Sequence, residues 1–286
     1  MSAITDKIIE KLEEEKKEKG SLPQLLEFYK NLLRIESRLG TKIAPPKPRI
    51  TKKAIKSRLE RGLPLLSFDD LALNLSLLQE TFIEVSHLFA QYPTLFGPAI
   101  EKLKELDPGR VIATNTLKAW FDGAKLPLAT SLDESEATLL NNIIQASIKP
   151  FLTSHAQILL PLVNQERWRR SFCPICGGSP DFAFLDEERG ARYLLCSRCD
   201  TEWLFQRLEC PYCGIQDQNE LAYFTDEEGI YRLYVCEHCR CYLKAIDMRQ
   251  VQAETLLPLE RVYTLDLDRQ AQERGYLPYD KATEIK

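Results

Sequence analysis

The chain has 286 residues, 44% of them hydrophobic and 28% charged, and 38 Lys plus Arg against 42 Asp plus Glu give it a net charge of −4. That balance describes a soluble globular protein of one large domain or two ordinary ones, and it excludes a dominant nucleic-acid footprint. No apolar run approaches the eighteen residues of a membrane-spanning helix; the longest, residues 158–163, is interrupted by Pro161.

Residues 1–20 are charged and helical in pattern, with no apolar segment and small-residue cleavage site of the secretory kind. Ser21-Leu22-Pro23-Gln24 predicts a capped helix start, followed by Leu25, Leu26, Tyr29, Leu32 and Leu33 at helical spacing. A second helix is expected from Ser67, with Asp70 completing its cap. Leu71, Leu75, Leu78, Phe82, Val85 and Phe89 form one face, and Pro93 ends it. Shorter helices are expected at 98–106 and 110–121. A longer one is expected at 133–148, restarting after Pro150. Each has one apolar face, so residues 1–170 read as an all-helical domain.

Two features of this half take a plain reading. Lys47, Arg49, Lys52, Lys53, Lys56, Arg58 and Arg61 stand against one acid, Glu60, after a Pro-rich linker at 45–48. A solvated face accounts for them, with a patch for an acidic partner or a nucleic-acid backbone as the alternative. His155 and His87 read as hydrogen-bonded core or boundary histidines rather than ligands.

The remainder is dominated by cysteine. All nine cysteines fall between positions 173 and 241, which marks a boundary near residue 170. In a reducing compartment such clusters bind metal or do chemistry more often than they form disulfides. Eight stand in four C-x-x-C pairs: Cys173 and Cys176, Cys196 and Cys199, Cys210 and Cys213, Cys236 and Cys239. Two intervening residues let both thiolates turn onto one ion. Gly177 and Gly214 let the backbone fold tightly behind them.

Three pairings of these knuckles exist, and an internal repeat selects one. Asp186-Glu187-Glu188, Arg192, Cys196 and Cys199 recur at an offset of 40 as Asp226-Glu227-Glu228, Arg232, Cys236 and Cys239. Each unit reads as knuckle, strand, acidic turn with Gly190 or Gly229, strand, knuckle. Tyr231, Leu233 and Val235 alternate with Arg232 and Tyr234. A hairpin brings its own two knuckles together. The expected metal sites are therefore Cys173, Cys176, Cys196 and Cys199, then Cys210, Cys213, Cys236 and Cys239, in modules spanning 171–209 and 210–247. Residues 248–286 form a tail with one helix near 258–274. Such sites hold zinc in ribbons and iron in rubredoxin-type modules, so two ions per chain are expected and their identity stays open. Two loaded sites would take the net charge to about −8.

The ninth cysteine, Cys241, reads as a small strand residue, with an accessible thiol near the metal as the alternative. His238 lies between two ligands and points away from them. Trp203 and Tyr212 read as packing of the small hairpins, with a docking surface as the alternative. No catalytic constellation is recognised.

These residues resemble the formate dehydrogenase accessory proteins of the FdhE type. The resemblance rests on Cys173-Pro-Ile-Cys176-Gly177, on Arg192-Tyr193-Leu194-Leu195-Cys196-Ser-Arg-Cys199-Asp200-Thr201-Glu202-Trp203, on Cys210-Pro-Tyr-Cys213, and on Cys236-Glu-His-Cys239 with Tyr242-Leu243-Lys244. Arg61-Gly62-Leu63-Pro64-Leu65-Leu66 and Ala271-Gln272-Glu273-Arg274-Gly275-Tyr276 extend it to most of the chain. Cys241 and the tail after Tyr276 depart from the family pattern. The resemblance implies a cytoplasmic, non-catalytic factor that binds the catalytic subunit of formate dehydrogenase. It also implies an α+β chain with a helical domain, two tandem rubredoxin-like modules whose ligands are the eight paired cysteines, and a helical tail. Two other readings stand beside it. A zinc-ribbon nucleic-acid binder is disfavoured by the acids from Asp181 to Glu228 around the knuckles. A redox protein would use a four-thiolate iron site or Cys241.

Overall fold

The computed structural model describes residues 3–43 and 50–279. Lys47, Arg49, the linker at 45–48 and the end of the tail lie outside them. The chain is α+β: a helical N-terminal region, a sheet region carrying two four-cysteine clusters, and C-terminal helices. It divides into two compact units. One comprises residues 1–49 and 67–155, the other residues 50–66 and 156–286.

In the first unit α1 (Ala3–Lys19), α2 (Gln24–Gly40) and α4 (Leu75–Ala90) bury apolar faces that include Ile8, Leu12, Leu33, Leu78 and Val85. Phe28 meets Phe89 edge to face at 4.9 Å. Lys30 is buried beside them, and Glu13 and Glu27 at 3.2 and 3.1 Å satisfy its charge. The expected cap at Ser21 does not form: α2 begins after Pro23 with no side-chain cap. The cap at Ser67 does form, because its backbone N–H and hydroxyl both donate to Asp70. It closes only a short 3-10 turn at Phe68–Asp70. The α-helix starts at Leu75 under a different cap, Asn74 Oδ1 accepting from Leu77 N at 3.1 Å.

The other helices of the unit are α5 (Pro93–Phe96), α6 (Ala99–Leu103), α7 (Pro108–Val111), α8 (Thr114–Phe121) and, up to His155, α9 (Glu134–Leu159). The pattern at 110–121 thus resolves into two pieces. Conversely, α9 runs through Pro150 without the expected break. Buried Ile148, Phe151 and Leu152 on either side outweigh the roughly 3 kcal/mol that an interior proline costs. Among the histidines, His155 is buried and donates from Nδ1 to the Phe151 carbonyl at 2.8 Å. His87 lies exposed on α4, not in the core.

The second unit is built on one six-stranded sheet. Its strands are β1 (Pro180–Leu185), β2 (Arg192–Cys196), β3 (Glu202–Phe205), β4 (Leu221–Thr225), β5 (Tyr231–Cys236) and β6 (Tyr242–Asp247), in the order β3-β2-β1-β6-β5-β4. Each cysteine module is an antiparallel three-stranded piece, one strand more than the hairpin read from the sequence. The modules fuse where β1 pairs with β6 in parallel, Phe182 beside Lys244 through Leu185 beside Asp247.

Two helices cover this sheet where one was expected, α10 (Leu257–Tyr263) and α11 (Leu265–Glu273), separated at Thr264. Leu257 packs with Phe182, Leu195 and Ile246. Ala271 and Tyr276 pack with Leu233, Val235 and Tyr242. Residues 50–66 join this unit through α3 (Lys52–Glu60) and the segment after it.

Candidate metal centres

The four knuckles share one local design. Cys173 N donates to the Gly178 carbonyl and Gly177 N to the Cys173 carbonyl. Cys210 N and Gly214 N repeat this at Ile215 and Cys210. Gly177 and Gly214 hold φ of 72° and 75°, a conformation that favours glycine. The closing knuckles make the same turn without glycine: Cys196 N and Cys236 N donate to the carbonyls of Thr201 and Cys241. Asp200 and Arg240 adopt φ of 54° and 56°, directly after Cys199 and Cys239. A non-glycine residue pays about 1 kcal/mol or more there, and the two knuckles do so at the same position of the repeat.

These turns aim backbone N–H groups at sulfur. Ile175 N and Arg198 N lie 3.4 Å from Cys173 Sγ and Cys196 Sγ, and Tyr212 N lies 3.5 Å from Cys210 Sγ.

The structure brings together the two sets of four expected from the repeat, with all sulfurs of a set within 4.8 Å of one another. In the first set Cys176 Sγ is 3.5 Å from both Cys196 Sγ and Cys199 Sγ, and Cys173 Sγ is 3.7 Å from Cys199 Sγ. In the second, Cys210–Cys239 and Cys213–Cys236 are each 3.7 Å apart. Disulfide sulfurs sit at about 2.05 Å, and all nine cysteines are free. A tetrahedron with metal–sulfur bonds of 2.3 Å has edges of about 3.8 Å. The donor sets therefore fit a four-coordinate thiophilic ion.

The electrostatics point the same way. Burial, and then the neighbouring sulfurs, push the Cys173 thiol well above its ordinary range. Burial pushes Cys236 up to about 11. Without a cation such thiols stay protonated. A bound ion would hold all four as thiolates. With four protein ligands it would have no open position, which is the mark of a structural rather than a Lewis-acid site.

The surroundings of the two sets differ. All four cysteines of the first are buried. The Thr201 hydroxyl lies 3.1 Å from Cys199 Sγ, placed to donate to a thiolate. Leu65 N and Leu66 N donate to the carbonyls of Pro174 and Ile175 at 2.8 and 2.9 Å, so the Arg61-to-Leu66 motif clasps the first knuckle. A Cβ on Gly178 would stand 3.1 Å from Cys196 Sγ.

In the second set Cys213 and Cys239 are partly exposed. A cavity of about 620 Å³, lined by Cys210, Cys236, Arg192, Tyr234 and Tyr223 among others, adjoins it. Arg192 is buried there, and burial draws its guanidinium down to about 10.

Cys241 occupies the position of Thr201 in the repeat. It is 2% exposed, with its thiol 3.6 Å from the Cys239 carbonyl, so it is not the accessible thiol of the alternative reading. His238 is exposed and outside the cluster. Trp203 is fully buried and donates to the Arg170 carbonyl at 2.8 Å. Tyr212 donates to the Pro180 carbonyl at 3.1 Å and stacks on Tyr279. Both are packing residues.

Sequence reasoning named Arg192 as a repeat marker, and Arg192, Thr201 and Leu65 within the motifs of the family resemblance, but gave none of the three a role at the site. The repeat register contained a signal for Thr201 and Arg192, since it aligns Thr201 with Cys241 and Arg207 with Asp247. The repeat holds no such signal for Leu65, which reaches the knuckle from far along the chain and is marked only by its place in the Arg61-to-Leu66 motif.

Among the described residues no helix is long and apolar enough to cross a membrane. The model of the FdhE central domain matches residues 172–207, which hold the first four-cysteine set. An FdhE homolog of Aquifex aeolicus is 26% identical over 269 residues, covering 90% of this chain and 87% of the relative. One from Pseudomonas aeruginosa is 30% identical over 244 residues, covering 78% of this chain and 71% of the relative. The crystal structure of the FdhE protein from Pseudomonas aeruginosa superposes with a TM-score of 0.60 at 22% identity, over 97% of this chain and 93% of the other, and so has the same fold. On the sequence match along most of both chains, this chain belongs to the FdhE family.

Proposed function

We propose that the chain is a non-catalytic accessory factor of formate dehydrogenase. It binds the enzyme's catalytic subunit in the cytoplasm, before assembly is complete, and is needed for activity. The eight paired cysteines hold two ions, iron or zinc, one in each module. Residues 171–209 and 210–247 are the metal modules of this proposal, preceded by a helical part at 1–170 and followed by a tail at 248–286.

The observation that carries the reading is the pair of preformed four-sulfur clusters in a chain similar to FdhE proteins over most of its length. Closed four-thiolate sites supply rigidity rather than an open coordination position, which suits a factor that presents a surface to a protein client. A nucleic-acid role has little support. Asp186, Glu187 and Glu188, with Asp226, Glu227 and Glu228, place acids in the turns of both modules, where they repel phosphate.

The test is co-purification of the chain from its native host under formate-metabolising conditions, with bound proteins identified and metal counted in the same sample. A formate dehydrogenase catalytic subunit with two metal equivalents is expected. Nucleic acid in its place, or no client under those conditions, would overturn the reading.

A further inference from the structure

We infer that Arg192 supplies the compensating positive charge for the second four-cysteine centre, reaching it from a strand of the first module. The inference rests on the proposal that the cysteines hold metal.

Arg192 is 3% exposed and lies on β2, four residues before Cys196. It faces the cavity that Cys210 and Cys236 also line. Its Nη2 donates to the carbonyl of Gln206 and, at 2.5 Å, to that of Glu209, the residue directly before Cys210. Its guanidinium stands over the rings of Phe205 and Tyr234 at 5.3 and 5.6 Å. Nε is buried without a hydrogen-bond partner. The two acceptors are neutral carbonyls.

The repeat makes this arrangement unusual. The counterpart of Arg192 is Arg232, which donates to the Asp247 carboxylate at 2.5 Å. The counterpart of Asp247 in the first module is Arg207, so the acid is replaced by a second cation. Glu209 also lines the cavity, but Gln216 Nε2 donates to its carboxylate at 2.8 Å. A buried guanidinium with no carboxylate hydrogen-bonded to it is expensive, and a four-thiolate centre with a divalent ion carries two negative charges.

At the first centre the cation is already paired. The arginine beside it, Arg261, already pairs with Asp200 and Asp181 at 3.0 and 3.1 Å while donating to the Cys196 carbonyl. The buried arginine without a bonded carboxylate therefore stands at the second centre. Its grip on Glu209 makes it a positioning residue for the Cys210 knuckle as well.

The test uses the full chain loaded with Zn²⁺ for metal release and with Fe²⁺ for electrochemistry. Cys213→Ala, which keeps only the first centre, assigns the two phases of release to a chelator. Arg192→Gln should release metal from the second centre at least tenfold faster and leave the first unchanged. With iron, its second centre should be harder to reduce by a factor of ten, or 59 mV for one electron, because the reduced site is the more negative. Arg192→Lys keeps the charge and should restore the potential. Arg207→Asp changes an exposed residue and returns the missing acid to Arg192. It should move the second centre in the same direction as Arg192→Gln, and further than Arg207→Gln, which removes a cavity-lining charge without supplying the acid.

An unchanged potential in Arg192→Gln overturns the inference. So does a potential in Arg192→Lys as low as in Arg192→Gln, which would reduce the residue to a clamp on carbonyls. If Arg192→Gln does not fold, an unmoved Arg207→Asp overturns it alone. A second centre that takes up no metal in the unaltered chain would defeat the metal proposal itself, before this one is tested.

Discussion

The two cysteine modules repeat each other in sequence and knuckle geometry, yet their centres sit in different environments. The first is fully buried, has the Thr201 hydroxyl at its Cys199 sulfur, and is clasped by Leu65 and Leu66 from outside the module. The second has two partly exposed cysteines, a thiol where the first has a hydroxyl, and an adjoining cavity. The same turn chemistry thus makes two four-sulfur sets, and what packs around each decides how tightly it is enclosed. An enclosed site resists metal loss and ligand exchange; an open one permits both.

The largest effect should come from removing a ligand. Cys173→Ala should drop the metal count from two to one and remove binding free energy on the order of 10 kcal/mol from the second unit. Cys213→Ala should lose one ion with a smaller fall in thermal stability, because its centre is less enclosed. Metal analysis with thermal unfolding checks this pair, and two retained ions in both variants would break the comparison at its root.

A second contrast concerns the arginine pair. Asp247 is fully buried and bonds both Arg232 and Arg249. Asp247→Asn should destabilise the unit by about 3 kcal/mol, since a buried cation loses its partner. Denaturant unfolding measures the loss. The Arg249 hydrogen bond, more than any other contact, holds the Asp247 carboxyl below its usual range. Its stabilisation is therefore complete above the ordinary carboxylate value of about 3.9 and fades as pH falls through the lower folded value. The variant should lack that part of the acid transition.

Smaller is the difference in metal release from the unaltered chain. A chelator should empty the second centre on the order of tenfold faster than the first, about 1.4 kcal/mol in barrier. Equal rates would mean that exposure of Cys213 and Cys239 has no consequence. Smallest is Thr201→Val, which should cost the first centre about 1 kcal/mol by deleting one donor to sulfur. Calorimetric metal titration would detect it, and an affinity equal to that of the unaltered chain would show that the hydroxyl does not act on the thiolate.

Local chemistry was legible in the chain itself. C-x-x-C spacing, the glycines behind it and a repeat at constant offset are short-range features, and they identified both groups of four that the structure brings together. Helix existence was likewise readable from apolar periodicity, but helix ends were not. Ser21 and Ser67 both carry capping patterns; Ser67 caps a turn and Ser21 caps nothing, because the neighbouring backbone decides whether a donor is left over. Pro150 looked like a break and is not one, since packing on both sides holds the helix through it.

The amino-acid order alone therefore sorted the eight paired cysteines into two groups of four and indicated the α+β class, because each depends on residues close together or on a repeated pattern. Tertiary structure alone settled that the modules share one sheet through β1 and β6, and that residues 61–66 close over the first knuckle. It also settled that Arg192 lies beside the other module's cysteines. These are pairings between distant segments, chosen by which strand edges and polar groups still need partners once each module has formed, and local spacing carries no record of that choice.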